Sequence, residues 1–96
     1  MFFYNITRGL KEYQNTQGAV LIDVREADEY QSGHIPGAVN IPVSVIGDIS
    51  YPRETPLFLY CLSGVRSKRA VLVLKNRGYE KAESIGGIRG YRGPLE

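Results

Sequence analysis

With 96 residues and a single cysteine, the chain is long enough for one hydrophobic core but not two, and it excludes an internal disulfide framework and a cysteine-rich metal site. Its 12 Lys and Arg against 10 Asp and Glu leave a formal charge of +2, too weak to argue for nucleic acid or a membrane surface as a partner. No apolar run approaches the roughly 20 residues that span a bilayer. The start, Met1-Phe2-Phe3-Tyr4-Asn5, lacks the basic region and long apolar core of a signal peptide. One domain over residues 1–96 and a cytoplasmic location are expected, with a removed leader still compatible. Leu95-Glu96 is the kind of dipeptide that a cloning step leaves, and nothing rests on it.

In chain order, Phe2–Ile6 reads as a short edge strand, followed by a polar helix from Thr7 to Asn15 capped by Thr7. Ala19-Val20-Leu21-Ile22 is a continuous apolar run ending at Asp23, the pattern of a strand covered on both faces. Glu26 to Gln31 reads as a short helix closed by Ser32-Gly33, and Ala38–Ile41 as a brief strand stopped by Pro42. Val43–Ile49 reads as a helix, although its β-branched residues and Gly47 lower its propensity. Residues 51–56 form a Pro-rich loop. Then come a strand at Leu57–Tyr60, a helix from Ser67 to Arg77 stopped by Gly78, a strand near Glu83-Ser84-Ile85 and a glycine-rich tail. Short apolar strands alternating with helices predict an α/β fold with a parallel sheet covered on both sides. Such sheets bind ligands at the carboxyl ends of their strands, where Asp23 and Cys61 both fall.

Cys61 is the strongest candidate nucleophile. It ends the strand Leu57–Tyr60 and opens the loop Leu62-Ser63-Gly64-Val65-Arg66, facing the amino end of a helix. Unpaired N–H groups and the helix dipole favour an anion there, so the thiol should ionise readily. Gly64 lets the loop curl so that its N–H groups converge on the sulfur. Arg66 adds a permanent positive charge beside it. No metal site and no cofactor is expected.

Four segments now line up: Leu21-Ile22-Asp23-Val24-Arg25-Glu26; Gly33-His34-Ile35-Pro36-Gly37-Ala38-Val39-Asn40-Ile41-Pro42; the Cys61–Ser67 loop; and Gly86-Gly87-Ile88. In order and spacing they resemble the single-domain rhodaneses, the thiosulfate sulfurtransferase family, over about Ile6 to Pro94. The resemblance implies a rhodanese-like fold with a five-stranded parallel sheet between helical layers, and a transferable sulfur carried by Cys61 as a persulfide. It also implies that Asp23 and Arg25 brace the loops around the site, and that His34 in Gly-His-Ile-Pro-Gly is a structural turn residue. The donor would be a small anion (thiosulfate, a polysulfide or a persulfide), and the acceptor cyanide, a thiol or a protein. Tyr91 stands where many relatives carry tryptophan, a mild change on an aromatic packing position. Leu62 and Ser63 are neither charged nor aromatic and give no preference for a particular donor.

The residues support this chemistry on their own. A preformed thiolate needs no general base, loop N–H groups and Arg66 offset the repulsion between two anions, and a covalent intermediate makes the scheme ping-pong. Lys68, Arg69, Lys75 and Arg77 read as a solvated helix face, with Lys68 and Arg69 close enough to the mouth to enrich anions. Two rivals use the same residues. A cysteine phosphatase or arsenate reductase also sets a thiolate and an arginine before a helix, but with five intervening residues where this loop has only Leu62, Ser63, Gly64 and Val65. A non-enzymatic binding module or sulfur carrier would use the same persulfide and differ only in its partner.

Overall fold

The computed structural model describes residues 5–96. Asn5 opens the first helix: its side-chain oxygen accepts the Thr7 N–H at 2.8 Å, supplying one of the donors that every helix start leaves unpaired. Helix α1 therefore runs over Ile6–Gln14. Its cap is Asn5 rather than Thr7, and Ile6 joins Leu10 on the buried face instead of ending a strand. The rest of the expected edge strand, residues 2–4, lies outside the described residues.

Four strands follow, β1 (Val20–Asp23), β2 (Val39–Asn40), β3 (Leu57–Cys61) and β4 (Ala82–Gly87). They form one parallel sheet in the order β2-β1-β3-β4. Among the described residues the sheet has four strands rather than the expected five, a difference that leaves the rhodanese-like α/β arrangement intact. Two further helices cross between strands, α2 (Ala27–Gln31) and α3 (Val65–Asn76). The segment Val43–Asp48 is helical as expected but winds as a 3₁₀ helix, which suits a short stretch whose valines, isoleucine and Gly47 are poor α-formers.

Side chains alternate across a strand, so β3 feeds two cores. Leu57, Leu59 and Cys61 join Ile22, Ala70 and Leu74 on the α3 side, whereas Phe58 and Tyr60 join Ile6, Leu10, Leu21 and Ile85 on the α1 side. This parity sends the Cys61 side chain toward α3. The carboxyl ends of neighbouring strands meet at one edge: Asp23 pairs in register with Asn40 and Tyr60, and Cys61 with Gly87. The Asn40 amide ties that edge together by donating to the carbonyls of Asp23 (3.0 Å) and Arg25 (2.9 Å). No helix among the described residues is long and apolar enough to cross a membrane.

Candidate active site

Cys61 is the last residue of β3 and only 1% exposed. The chain then turns outward through Leu62 and Ser63 and back at Gly64, whose φ of +105° lies in the left-handed region that favours glycine. Helix α3 starts at once, with Gly64 as its cap, two residues earlier than the sequence pattern predicts. The early start brings its unpaired N–H groups onto the sulfur. Cys61 Sγ accepts the Gly64 N–H at 3.0 Å and the Ser67 N–H at 3.4 Å, and Ser67 Oγ lies 3.7 Å away. Burial alone pushes the thiol up, because a buried charge loses its hydration. The hydrogen bonds from Ser67, through both backbone and hydroxyl, and from the N–H groups of Gly64 and Ser63 outweigh it, and the thiol settles below its ordinary value.

Ser67 contacts the sulfur, yet the loop pattern alone does not single it out. It is fully buried, its hydroxyl 2.7 Å from Ser84 Oγ and 3.1 Å from the Gly64 carbonyl oxygen. Its signal was the spacing 67, 70, 74, which is the buried face of α3.

Arg66 has a partner that its position beside Cys61 does not reveal. Its guanidinium grips Glu29 of α2 in a bidentate pair, Nη1 to Oε1 at 2.7 Å and Nη2 to Oε2 at 3.0 Å. Those bonds, together with the Glu26 N–H, draw the Glu29 carboxyl down to about 2. The positive charge of Arg66 is thus shared with a carboxylate, although the arginine still interacts electrostatically with Cys61.

Asp23 and Arg25 form a buried ion pair. Arg25 reaches both carboxylate oxygens of Asp23, with the shortest contact from Nη2 at 2.7 Å, and Nη2 also donates to the Gly33 carbonyl at 2.8 Å. Both side chains are buried, and the guanidinium lies 5.9 Å from the Tyr60 ring centroid. The Tyr60 hydroxyl accepts the Ile35 N–H at 3.1 Å, which anchors the turn after His34 to the sheet. Burial raises the Tyr60 phenol above its ordinary range. His34 stacks on Tyr30 with centroids 3.7 Å apart, and its Nδ1 lies 3.0 Å from the Tyr30 carbonyl. It is a turn residue.

Gly87, the last residue of β4 and the register partner of Cys61, is a glycine for a physical reason. A Cβ on Gly87 would press into the Leu62 carbonyl oxygen and sit 2.6 Å from both the Leu62 carbonyl carbon and the Ser63 Cα. Only a bare backbone lets β4 support the Cys61 loop this closely. Beside the loop, Leu62, Ser63, Gly87 and Arg89 line a groove of about 370 Å³. Tyr91 packs against the α1-side core and donates to the Pro94 carbonyl at 2.8 Å, so an aromatic ring holds that position. Among the described residues, no cluster of three or more His, Cys, Asp or Glu could hold a metal ion.

The cradle makes a testable statement about acidity. The alkylation rate of Cys61 should rise with pH to a midpoint below the ~8.5 of a free thiol. Ser67→Ala should move that midpoint upward by removing a donor. Glu29→Gln should move it downward, because it frees the Arg66 charge. A parent midpoint at or above the free-thiol value would show that burial wins over the hydrogen bonds.

Known proteins place this arrangement. A family model described as a rhodanese-like domain matches residues 7–93. The Bacillus subtilis (strain 168) protein YqhL is 40% identical over 81 residues, covering 81% of this chain and 64% of that protein. A protein of Pseudomonas savastanoi pv. phaseolicola named thiosulfate sulfurtransferase GlpE is 37% identical over 73 residues, covering 74% of this chain and 69% of its own length. Among solved structures, the human single-domain sulfurtransferase TSTD1 superposes with a TM-score of 0.78 at 28% identity, over 88% of this chain and 89% of that one. With its parallel sheet, its cysteine loop and these relatives, the chain belongs to the rhodanese family.

Proposed function

We propose that the protein is a sulfurtransferase, a single rhodanese domain that moves a sulfane sulfur from an anionic donor to a thiophilic acceptor through a Cys61 persulfide. The observation that carries this reading is the pair of N–H donors, Gly64 at 3.0 Å and Ser67 at 3.4 Å, aimed at one sulfur atom. They stabilise the thiolate before the donor arrives and the sulfur anion after it has reacted. In the first half-reaction, the Cys61 thiolate attacks the outer sulfur of thiosulfate. A new S–S bond forms, the S–S bond of thiosulfate breaks, and its electron pair leaves with sulfite. In the second, cyanide or a thiolate attacks the outer sulfur of the persulfide, and the electron pair of the broken S–S bond returns to Cys61.

The remaining residues shape the cradle. Leu62, Ser63 and Val65 are exposed around its mouth, where the donor must enter, and Gly64 supplies both the turn and an N–H. Arg66 favours anions at short range and, through Glu29, pins the start of α3 to α2. Asp23 and Arg25 act one layer out by fixing the Gly33 turn. A reduced lone cysteine fits the cytoplasm.

Phosphoryl chemistry is the rival to test. Four residues separate Cys61 from Arg66, and Arg66 already holds Glu29. A phosphatase loop must instead enclose three phosphoryl oxygens with its arginine among them. One preparation should therefore transfer sulfur from thiosulfate or polysulfide to cyanide and release no phosphate from an aryl phosphate. Cysteine-dependent phosphate release without sulfur transfer would reverse the assignment.

A further inference from the structure

The exposed face of α3 departs from what a solvated helix needs. From Val65 to Arg77 the chain carries five of its 12 Lys and Arg residues and not one Asp or Glu. Helix starts favour acidic residues, because the dipole is positive there. Arg66 is accounted for by Glu29, Lys75 by the Glu80 carbonyl at 3.2 Å, and Arg77 by the Gly47 carbonyl. Lys68 and Arg69, in the first turns, form no ion pair within 4.0 Å among the described residues. The same stripe carries large aliphatic side chains in water: Val65 is 63% exposed and Leu72 69% exposed, while Leu62 on the loop is 41% exposed. Positions 65, 68, 69 and 72 are spaced i, i+3, i+4 and i+7, so they form one continuous face. It begins at the mouth of the Cys61 loop and runs along the helix.

We propose that Leu62, Val65, Lys68, Arg69 and Leu72 form a docking face for an acidic polypeptide that presents the acceptor thiol to the Cys61 persulfide. This rests on the sulfurtransferase reading and names its acceptor. Charge selects the partner, since two exposed cations among apolar anchors complement glutamates and aspartates set among aliphatic side chains. Size selects it too. A small anion has no use for exposed Val65 at the helix start and Leu72 two turns further on, whereas a polypeptide covers both. Nucleic acid fits less well, because the face offers no aromatic ring on which a base could stack. At this face the partner thiolate attacks the outer persulfide sulfur, the S–S bond to Cys61 breaks, and the electron pair remains on Cys61 as a thiolate.

Two synthetic peptides test this, each with one cysteine, flanked by leucine and glutamate in one and by leucine and lysine in the other. With thiosulfate as donor at low salt, kcat/KM for the acidic peptide should exceed that for the basic one by roughly tenfold, and the ratio should shrink as salt screens the charges. Arg69→Glu should erase or invert the ratio. Leu72→Ser should weaken use of the acidic peptide. Leu72→Ser should serve cyanide as well as the parent does, and Arg69→Glu is judged by the ratio between the two peptides, which share one anionic donor. Equal use of the two peptides, or a preference that survives Arg69→Glu, would overturn the docking face. So would a single-stranded oligonucleotide that competes with the acidic peptide through Arg69, which would assign the face to nucleic acid. Cyanide separates the two readings. A parent that serves cyanide but ignores peptide charge loses only the docking face, whereas a parent that fails with cyanide loses the sulfurtransferase reading as well.

Discussion

Cys61→Ser protein should fold as the parent does and transfer no sulfur above background, a fall on the order of 10³-fold or more. Serine is close to isosteric, and the donors around position 61 belong to the backbone of Gly64 and to Ser67, so the cradle survives the exchange. The chemistry does not. A serine hydroxyl stays protonated at neutral pH, and these N–H groups cannot ionise it without a base. The nearest side-chain hydroxyl, Ser67, is no base. The described residues hold no second cysteine to substitute for the first. Steady-state transfer from thiosulfate to cyanide, with circular dichroism as the check on folding, measures the effect. Parent-like turnover in the variant would remove Cys61 from the mechanism.

Gly87→Ala should be the next most damaging single change, although Gly87 touches no substrate in this account. The added methyl would meet backbone on the loop side, the Leu62 carbonyl and the Ser63 Cα, and backbone cannot rotate away as a flexible side chain would. Gly87 is extended in the structure, so the penalty comes from crowding and not from its φ. Overpacking of this kind costs roughly 1–3 kcal/mol. A shift of about 1 Å in a reacting group can cost 10²-fold in rate, and the displaced segment carries the turn that aims the Gly64 N–H at sulfur. We expect a lower melting temperature together with a fall in kcat/KM of roughly that size. The alkylation midpoint of Cys61 should rise in parallel, a change that simple loss of stability would not produce. Unchanged activity and acidity would mean that the loop does not depend on β4 for its shape.

What could be read from the sequence follows the range of the interaction. The β3 run, the turn at Gly64 and the strand end at Asp23 are written in neighbouring residues, and the structure places all three as expected. Boundaries set by competing local signals moved. Asn5 and Thr7 are both good caps, and burial of Ile6 decided for Asn5. Gly64 took over as the start of α3, although Ser67 looked like the natural beginning. The segment from Val43 kept a helical course but tightened to 3₁₀, because its residues resist the α form. Partners far apart in the chain were invisible. Arg66 and Glu29 are 37 residues apart, and nothing in either local pattern announces the pair. Ser67 lay between these cases, since its helical spacing marked it as buried without showing that it faced the sulfur.

The most direct test of the account is the intact mass of the protein after brief treatment with thiosulfate and removal of excess reagent. A Cys61 persulfide predicts a gain equal to one sulfur atom, mapped to the peptide that contains Cys61, absent in Cys61→Ser, and lost on addition of cyanide with release of thiocyanate. An unmodified mass, or a sulfur adduct that persists in Cys61→Ser, would contradict it.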